Sequence, residues 1–255
     1  MKKSIYFFLL LLTIGLFSCK KENNVVQELD TFTPDNEIRN FLIESYEFLP
    51  SSITESKTGF IVEGDVYFAK KDFWERYGPP KNTSLRHYKS QYKVTLTTVY
   101  VDVSTLPTAW KTAFRSAITQ WNGLKLRVKF SEVSGYCPAN GITVQYASLG
   151  SNTSNVFAQA GGFPTSTGNP ASLITVNSSC TVSMSSSQKL KTAVHELGHA
   201  IGFMHTDKAS GYTRIIMSLT SCNTGIDPSS IMNQGLMSFT DFSACDKSAF
   251  KTIYP

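Results

Sequence analysis

The chain has 255 residues, 41% hydrophobic and 17% charged, an ordinary globular composition long enough for one good core plus an extra segment. Its net charge of +5 is modest, and part of it comes from Lys2, Lys3, Lys20 and Lys21 near the N-terminus. There is no basic stripe interleaved with aromatics, so nothing points to nucleic acid as a partner.

Met1 to Ser18 reads as a targeting segment (1–18). Lys2 and Lys3 form its charged start, and Ile5 to Phe17 is an apolar run too short to span a bilayer comfortably. It ends Leu16-Phe17-Ser18-Cys19, which resembles a bacterial lipobox with cleavage before Cys19. The alternative is a plain secretory peptide with an incidental cysteine. Using Cys19 for an acyl anchor leaves Cys137, Cys180, Cys222 and Cys245, an even set for disulfides in an oxidising compartment. Four cysteines allow three pairings; the expectation taken forward is Cys137–Cys180 and Cys222–Cys245. A cysteine zinc site is the rival, but no pair has C-x-x-C spacing. These features place the protein in the bacterial cell envelope, lipid-anchored, or secreted, touching a membrane only through its anchor.

Residues 19–36 read as a lipidated N-terminus and polar tether. A short amphipathic helix is predicted near Asp35 to Phe48, with Ile38, Phe41, Leu42 and Tyr46 on one side. Pro50 to Thr58 reads as loop and Phe60 to Val66 as an apolar stretch with a Gly-Asp turn. Ala69 to Ser90 is rich in Lys, Arg, Tyr and turn residues and reads as an exposed connector, where proteolysis concentrates. His87 within it reads as a solvated loop histidine. The boundary between a segment 37–91 and a main domain 92–255 falls here.

In the main domain, Tyr92 to Val103 alternates and is rich in Val, Thr and Tyr, which predicts a strand. Thr108 to Trp121 predicts a helix with Trp110, Phe114, Ala117, Ile118 and Trp121 on one face; Pro107 suits its start and Gly123 its end. Leu124 to Val133 and Ile142 to Ala147 are two further candidate strands; Ser148 to Ser187 is rich in Ser, Thr, Asn and Gly and reads as loop, with Asn155 to Gly161 and Leu173 to Val176 as its structured pieces. A C-terminal helix carrying Phe250 and Ile253 starts from Thr240 or Ser243.

Three of the four histidines fall within His195-Glu196-Leu197-Gly198-His199-Ala200-Ile201-Gly202-Phe203-Met204-His205. On a helix His195 and His199 differ by about 40°, so both imidazoles leave one face a turn apart and can share a zinc ion. Glu196 sits about 100° further round, off that face, placed to act as a general base on a water. His205 would point about 80° away on a continuous helix. Gly202 resolves this, because a glycine with φ > 0 ends the helix and swings His205 back as third ligand. Three protein ligands leave the fourth position open, the pattern of a catalytic zinc. Leu190, Val194, Leu197 and Ile201 give the segment its core-facing stripe, and Ser185, Ser186 and Ser187 are N-cap candidates.

This stretch resembles the extended motif of the metzincin zinc endopeptidases, and Ser230-Ile231-Met232-Asn233 is similar to their methionine turn, with Met232 as its methionine. Within that group the chain is most similar to astacin-like bacterial enzymes and to the dual-action HEIGH metallopeptidases. Thr206 and Gln234 depart from the astacin pattern, which has Glu after the third histidine and a tyrosine ligand two residues after the turn methionine. The resemblance implies an α+β fold: a twisted mixed five-stranded sheet, a backing helix, an active-site helix and a C-terminal helix. It implies that Val156, Phe157, Ala158, Gln159, Ala160 and Gly161 form a free edge strand that pairs with extended substrate. Latent astacin-like enzymes carry a Phe-x-Gly-Asp segment whose aspartate binds the zinc, and Val62-Glu63-Gly64-Asp65 is similar, making Asp65 the candidate.

The implied activity is peptide-bond hydrolysis by a monomer using Zn2+, made as a latent precursor. The rival is a catalytically idle binding or adhesion lipoprotein on the same scaffold, against which the intact Glu196 speaks; a zinc hydrolase of non-peptide amides is a third possibility. Asp207 reads equally as a partner of a ligand histidine or as a turn residue.

Overall fold

The computed structural model describes residues 34–46, 48–77, 92–150, 153, 155–206 and 227–255. They belong to one compact unit, Thr33–Pro255. The targeting segment, Cys19, His87, Asp207 and Cys222 lie outside the described residues.

Helix α1 (Pro34–Tyr46) is followed by a 3-10 turn (Pro50–Ser52) and three short strands, β1 (Ile53–Glu55), β2 (Gly59–Val62) and β3 (Val66–Ala69). Helix α2 (Phe73–Tyr77) ends this segment. Next come β4 (Thr98–Asp102), α3 (Thr108–Gly123), β5 (Lys129–Val133), β6 (Ile142–Ala147), β7 (Ala158–Ala160) and β8 (Leu173–Asn177). Helices α4 (Ser186–Ala200) and α5 (Ala244–Ile253) complete the described fold.

The α+β expectation holds, but the sheet has eight strands rather than five, in the order β1-β2-β3-β7-β8-β6-β4-β5. The last five make the parallel-dominated sheet of the main domain, with only β7 antiparallel to its neighbour β8. The extra three come from the N-terminal segment, whose antiparallel β2–β3 hairpin docks through one parallel pair, Val66 opposite Ala160. So β7 is not the free edge expected of Val156–Gly161, and it is shorter, spanning Ala158–Ala160. The added strands hold three or four residues each, too few for alternation to show in sequence. The connector expected over Ala69 to Ser90 likewise holds α2, with Phe73 and Tyr77 buried.

Two apolar cores result. The larger packs α3, α4 and α5 against the main sheet, and Trp121 is its hub. The indole of Trp121 lies between Phe130, Phe203, Phe242 and Phe250 at centroid distances of 4.7–6.1 Å. Its N–H donates to the Val194 carbonyl of α4 at 3.0 Å. The smaller core is an aromatic cluster of the N-terminal segment, including Tyr46, Phe48, Phe60, Phe68 and Phe73, joined by Phe163 from the main domain.

The expected Cys137–Cys180 disulfide is absent: both cysteines are free. Strands β6 and β8 run parallel, with Thr143 opposite Leu173 and Ala147 opposite Asn177. The Cys137 thiol lies by Thr143 and Gly141 at the start of β6, whereas Cys180 follows the end of β8, where its N–H donates to the Asn177 carbonyl. Four strand steps separate those ends by roughly 13 Å, beyond the reach of about 7 Å between disulfide Cα atoms. Cys245 is disulfide-bonded; its partner, like Cys222, lies outside the described residues.

Truncating the hub tests this packing. Trp121→Ala is expected to cost about 3–5 kcal/mol, and Trp121→Phe about 1–3 kcal/mol for the lost hydrogen bond and ring volume, read from urea midpoints at constant m-value.

Candidate metal centre

Helix α4 starts on a capping box: the Ser185 hydroxyl accepts from the Gln188 N–H while the Gln188 side chain accepts from the Ser185 N–H. Of the three serine candidates, Ser185 is the cap. From Lys191 to Ala200 every residue of the helix is buried, so its histidines are fixed by packing on all sides.

The end of α4 directs the third histidine. Gly202, at φ 106°, donates to the His199 carbonyl at 2.9 Å, and Phe203 donates to the Gly198 carbonyl at 3.0 Å. These are the two bonds of a Schellman motif with Gly202 in the left-handed position. The turn reverses the chain and brings His205 back beside His195 and His199. The imidazole Nε2 of His205 lies 3.1 Å from that of His195 and 3.0 Å from that of His199.

Each Nδ1 has its own acceptor. His195 donates to the Ile231 carbonyl at 2.8 Å, His199 to the Phe203 carbonyl at 2.7 Å, and His205 to the Glu63 carboxylate at 2.7 Å. Carbonyls only accept, so His195 and His199 carry their protons on Nδ1 and turn bare lone pairs inward from Nε2. The Asp65 carboxylate joins them, Oδ2 lying 3.3 Å from His195 Nε2, 2.9 Å from His205 Nε2 and 3.9 Å from His199 Nε2. The four donor atoms lie within 4.8 Å of one another. A tetrahedron of ligands about 2.0–2.1 Å from zinc has edges of roughly 3.3 Å, so the set fits that ion in both chemistry and size.

Electrostatics agree. Burial holds the His195 ring down to about 3, helped by the Lys191 ammonium, and burial lowers His199 as well. Burial also opposes charge on His205, but the Asp65 and Glu63 carboxylates outweigh it and raise that ring to about 9. Burial acts against the Asp65 charge too, yet the three histidines hold its carboxyl well below the usual range. Without a metal, one proton on His205 is the cation the cluster demands.

Met232 is buried beneath α4. A Cβ on Gly198 would lie 2.6 Å from its sulfur, so any larger residue there would force the Met232 side chain to shift. The turn carrying Met232 is fixed from α5: Asp246 accepts from the Ser230 hydroxyl at 2.7 Å and the Ile231 N–H at 3.0 Å. Asp246 also closes the capping box of α5 with Ser243. Its S-x-x-D spacing was visible in the sequence, but its hold on residues 230–231 was not.

Glu196 is buried, and one of its carboxylate oxygens has no hydrogen-bond partner. Burial, then the Asp65 charge, raises its carboxyl well above the usual range, opposed in part by His205 and the Lys191 ammonium. It lines a cavity of about 220 Å³ with His195, Lys191, Ala158 and Asp65.

Sequence reasoning missed Glu63. It sits in the three-residue loop joining β2 to β3, two residues before Asp65. Gln234, at the astacin tyrosine position, donates instead to the Glu63 carbonyl. Thr206 pairs with the Asn233 side chain.

A family model described as dual-action HEIGH metallo-peptidase matches residues 61–254. The chain belongs to that family. It is therefore a metallopeptidase, its substrates are proteins or peptides, and zinc is its cofactor. A solved structure titled "Structure of Myroilysin" is 16% identical, covering 64% of this chain and 82% of its own, with a TM-score of 0.42. No curated protein matches the peptidase.

Zinc removal is expected to lower the melting temperature. At a free zinc concentration 100-fold above Kd the ion contributes about 2.7 kcal/mol, or roughly 5–10 °C for a domain this size; chelation should remove that shift and zinc restore it, but not in His205→Ala. Because zinc must displace the His205 proton, apparent affinity should rise about tenfold per pH unit from pH 7 toward about 9, read by chelator competition.

Proposed function

We propose that the peptidase is a metzincin-type zinc endopeptidase made as a latent precursor. His195, His199 and His205 hold the metal, and Glu196 is the general base. The observation that carries this reading is the orphaned, buried Glu196 carboxylate oxygen facing the cavity beside three convergent imidazoles. Zinc, when bound, polarises a scissile carbonyl and acidifies a water.

Glu196 takes the proton of the attacking water and delivers it to the leaving amide nitrogen. Burial raises the Glu196 carboxyl, which makes the carboxylate the stronger proton acceptor. Met232 supports the ligand helix from below.

Latency is read from the hairpin. Asp65 occupies the fourth position of the donor set, and its carbonyl accepts from the Ala160 N–H at 3.1 Å. That N–H belongs to the β7 edge which the substrate backbone would pair with. The β2–β3 hairpin thus covers both the metal position and the strand, and a cut in the connector before Tyr92 is the activating event. The cleft of the mature form is Ala158–Ala160 together with the flanking residues of 156–161.

Localisation follows from the leader alone: residues 1–18 direct export and Cys19 takes a lipid. Among the described residues no helix is long and apolar enough to cross a membrane.

The test is cleavage of an unfolded protein by the precursor after mild trypsin nicking and quenching. The parent should gain activity on nicking. Glu196→Gln should lose at least 10²–10⁴-fold in kcat while retaining zinc, as scaled by general-base contributions. Near-parental turnover in that variant would remove Glu196 from the mechanism, and an inert nicked parent that still holds zinc would favour the idle binding protein.

A further inference from the structure

Two of the three histidine ligands are held by the main domain itself. His195 and His199 donate from Nδ1 to the carbonyls of Ile231 and Phe203. His205 does not share this arrangement. Its Nδ1 donates to Glu63, which belongs to the N-terminal hairpin. Its Nε2 faces Asp65 from the same three-residue loop. One hairpin tip therefore grips both nitrogens of one ligand.

We propose that Glu63 is a positioning residue that fixes His205 as a zinc ligand in the precursor, so the hairpin that covers the cleft also tightens the chain's hold on its metal. The inference rests on the reading of residues 37–91 as a removable segment.

The construction of the loop supports it. The Glu63 side chain is only 4% exposed and the His205 side chain 0%, so the pair is desolvated. The Glu63 backbone is pinned from two sides: its N–H donates to the Ser52 carbonyl at 2.9 Å, and its carbonyl accepts from Gln234. It sits at φ 54°, in the left-handed region that few residues other than glycine adopt. A glutamate kept in that conformation aims its carboxylate at the ring. A carboxylate on Nδ1 holds the proton there, leaves the Nε2 lone pair for the metal and increases its basicity. Together Glu63 and Asp65 supply two negative charges, matching the two positive charges of zinc. Release of the hairpin removes both, along with the only Nδ1 partner that His205 has among the described residues.

The experiment follows zinc, not turnover. The zinc-loaded full chain is mixed with excess chromogenic chelator and metal release is timed. Glu63→Ala is expected to release zinc about 10–100-fold faster than the parent, the range seen when the partner of a ligand histidine is removed. Glu63→Gln should fall between them, because its amide oxygen still accepts from Nδ1 without the charge. Glu55→Ala, an exposed position on the same strand module that pairs with Lys70, should release at the parent's rate. In the cobalt-substituted chain, Asp65→Ala should change the visible spectrum, since a donor is lost, while Glu63→Ala should leave it unchanged.

Parental release from Glu63→Ala would overturn the proposal. So would equally fast release from Glu55→Ala, which would mean that the whole module had loosened. If Glu63→Ala does not fold, parental release from Glu63→Gln overturns it instead. A chain that shows the expected order yet cleaves no peptide after nicking would refute the endopeptidase reading and leave this one standing.

Discussion

The His205 Nε2 held about 3 Å from those of both His195 and His199, with a carboxylate beside it, forms an arrangement that a protein does not adopt without a cation. The rest of the described structure follows from enforcing that repulsive geometry. The full burial of α4 from Lys191 to Ala200 keeps the helix from rotating away from it. The Schellman turn at Gly202 supplies the reversal that a straight helix cannot, and in the same stroke presents the Phe203 carbonyl to His199. The Ile231 carbonyl serves His195 from a turn that α5 holds through the buried carboxylate of Asp246. Each support comes from a different element, so the cluster forms only when the whole domain has packed.

The N-terminal segment is held by an apolar core together with the buried contacts of Glu63 and Asp65 to the histidines. Its surface pairs, Lys70 with Asp35 and Glu55, lie N-terminal to the main domain, are substantially exposed on the acidic side and contribute little. Its aromatic core is buried, and Phe163 of the main domain enters it, stacked near Tyr46 and Phe48 at 6.0 Å, with Met204 packed alongside. The same ring stands edge-on to His199 at 5.7 Å. Tyr77 adds a hydroxyl donated to the Gly161 carbonyl, just beyond β7. The loop from Gly161 to Phe163 thus links the segment's core to the metal cluster, and the hairpin tip lies against both. Covering β7 also removes an unpaired sheet edge, which is a hazard as well as a docking place.

Much of the site was legible in the sequence because it is local. The spacing of His195, Glu196 and His199 is a property of one helix, and helix geometry alone brings the two rings together. Gly202 announced the reversal because few other residues take its backbone conformation. Met232 and Asp65 were singled out by resemblance to short motifs, and packing places Asp65 beside the three histidines. The helices α3 and α5 were visible through periodicity and end signals of the same local kind.

What tertiary structure alone decided is whatever depends on two distant segments meeting. Short strands β1 to β3 carry too few residues for alternation to appear, and the docking of β3 on β7 is settled by the aromatic cluster underneath. Cys137 and Cys180 looked like partners by count, yet the parallel register of β6 and β8 puts them at opposite ends. Glu63 was one acidic residue among many until the hairpin set it against a ligand 142 positions away. Sequence by itself determined the chemistry of the cluster, because helix and turn geometry act over a few residues. The partners of those groups were decided by packing, because burial and register are properties of the assembled chain.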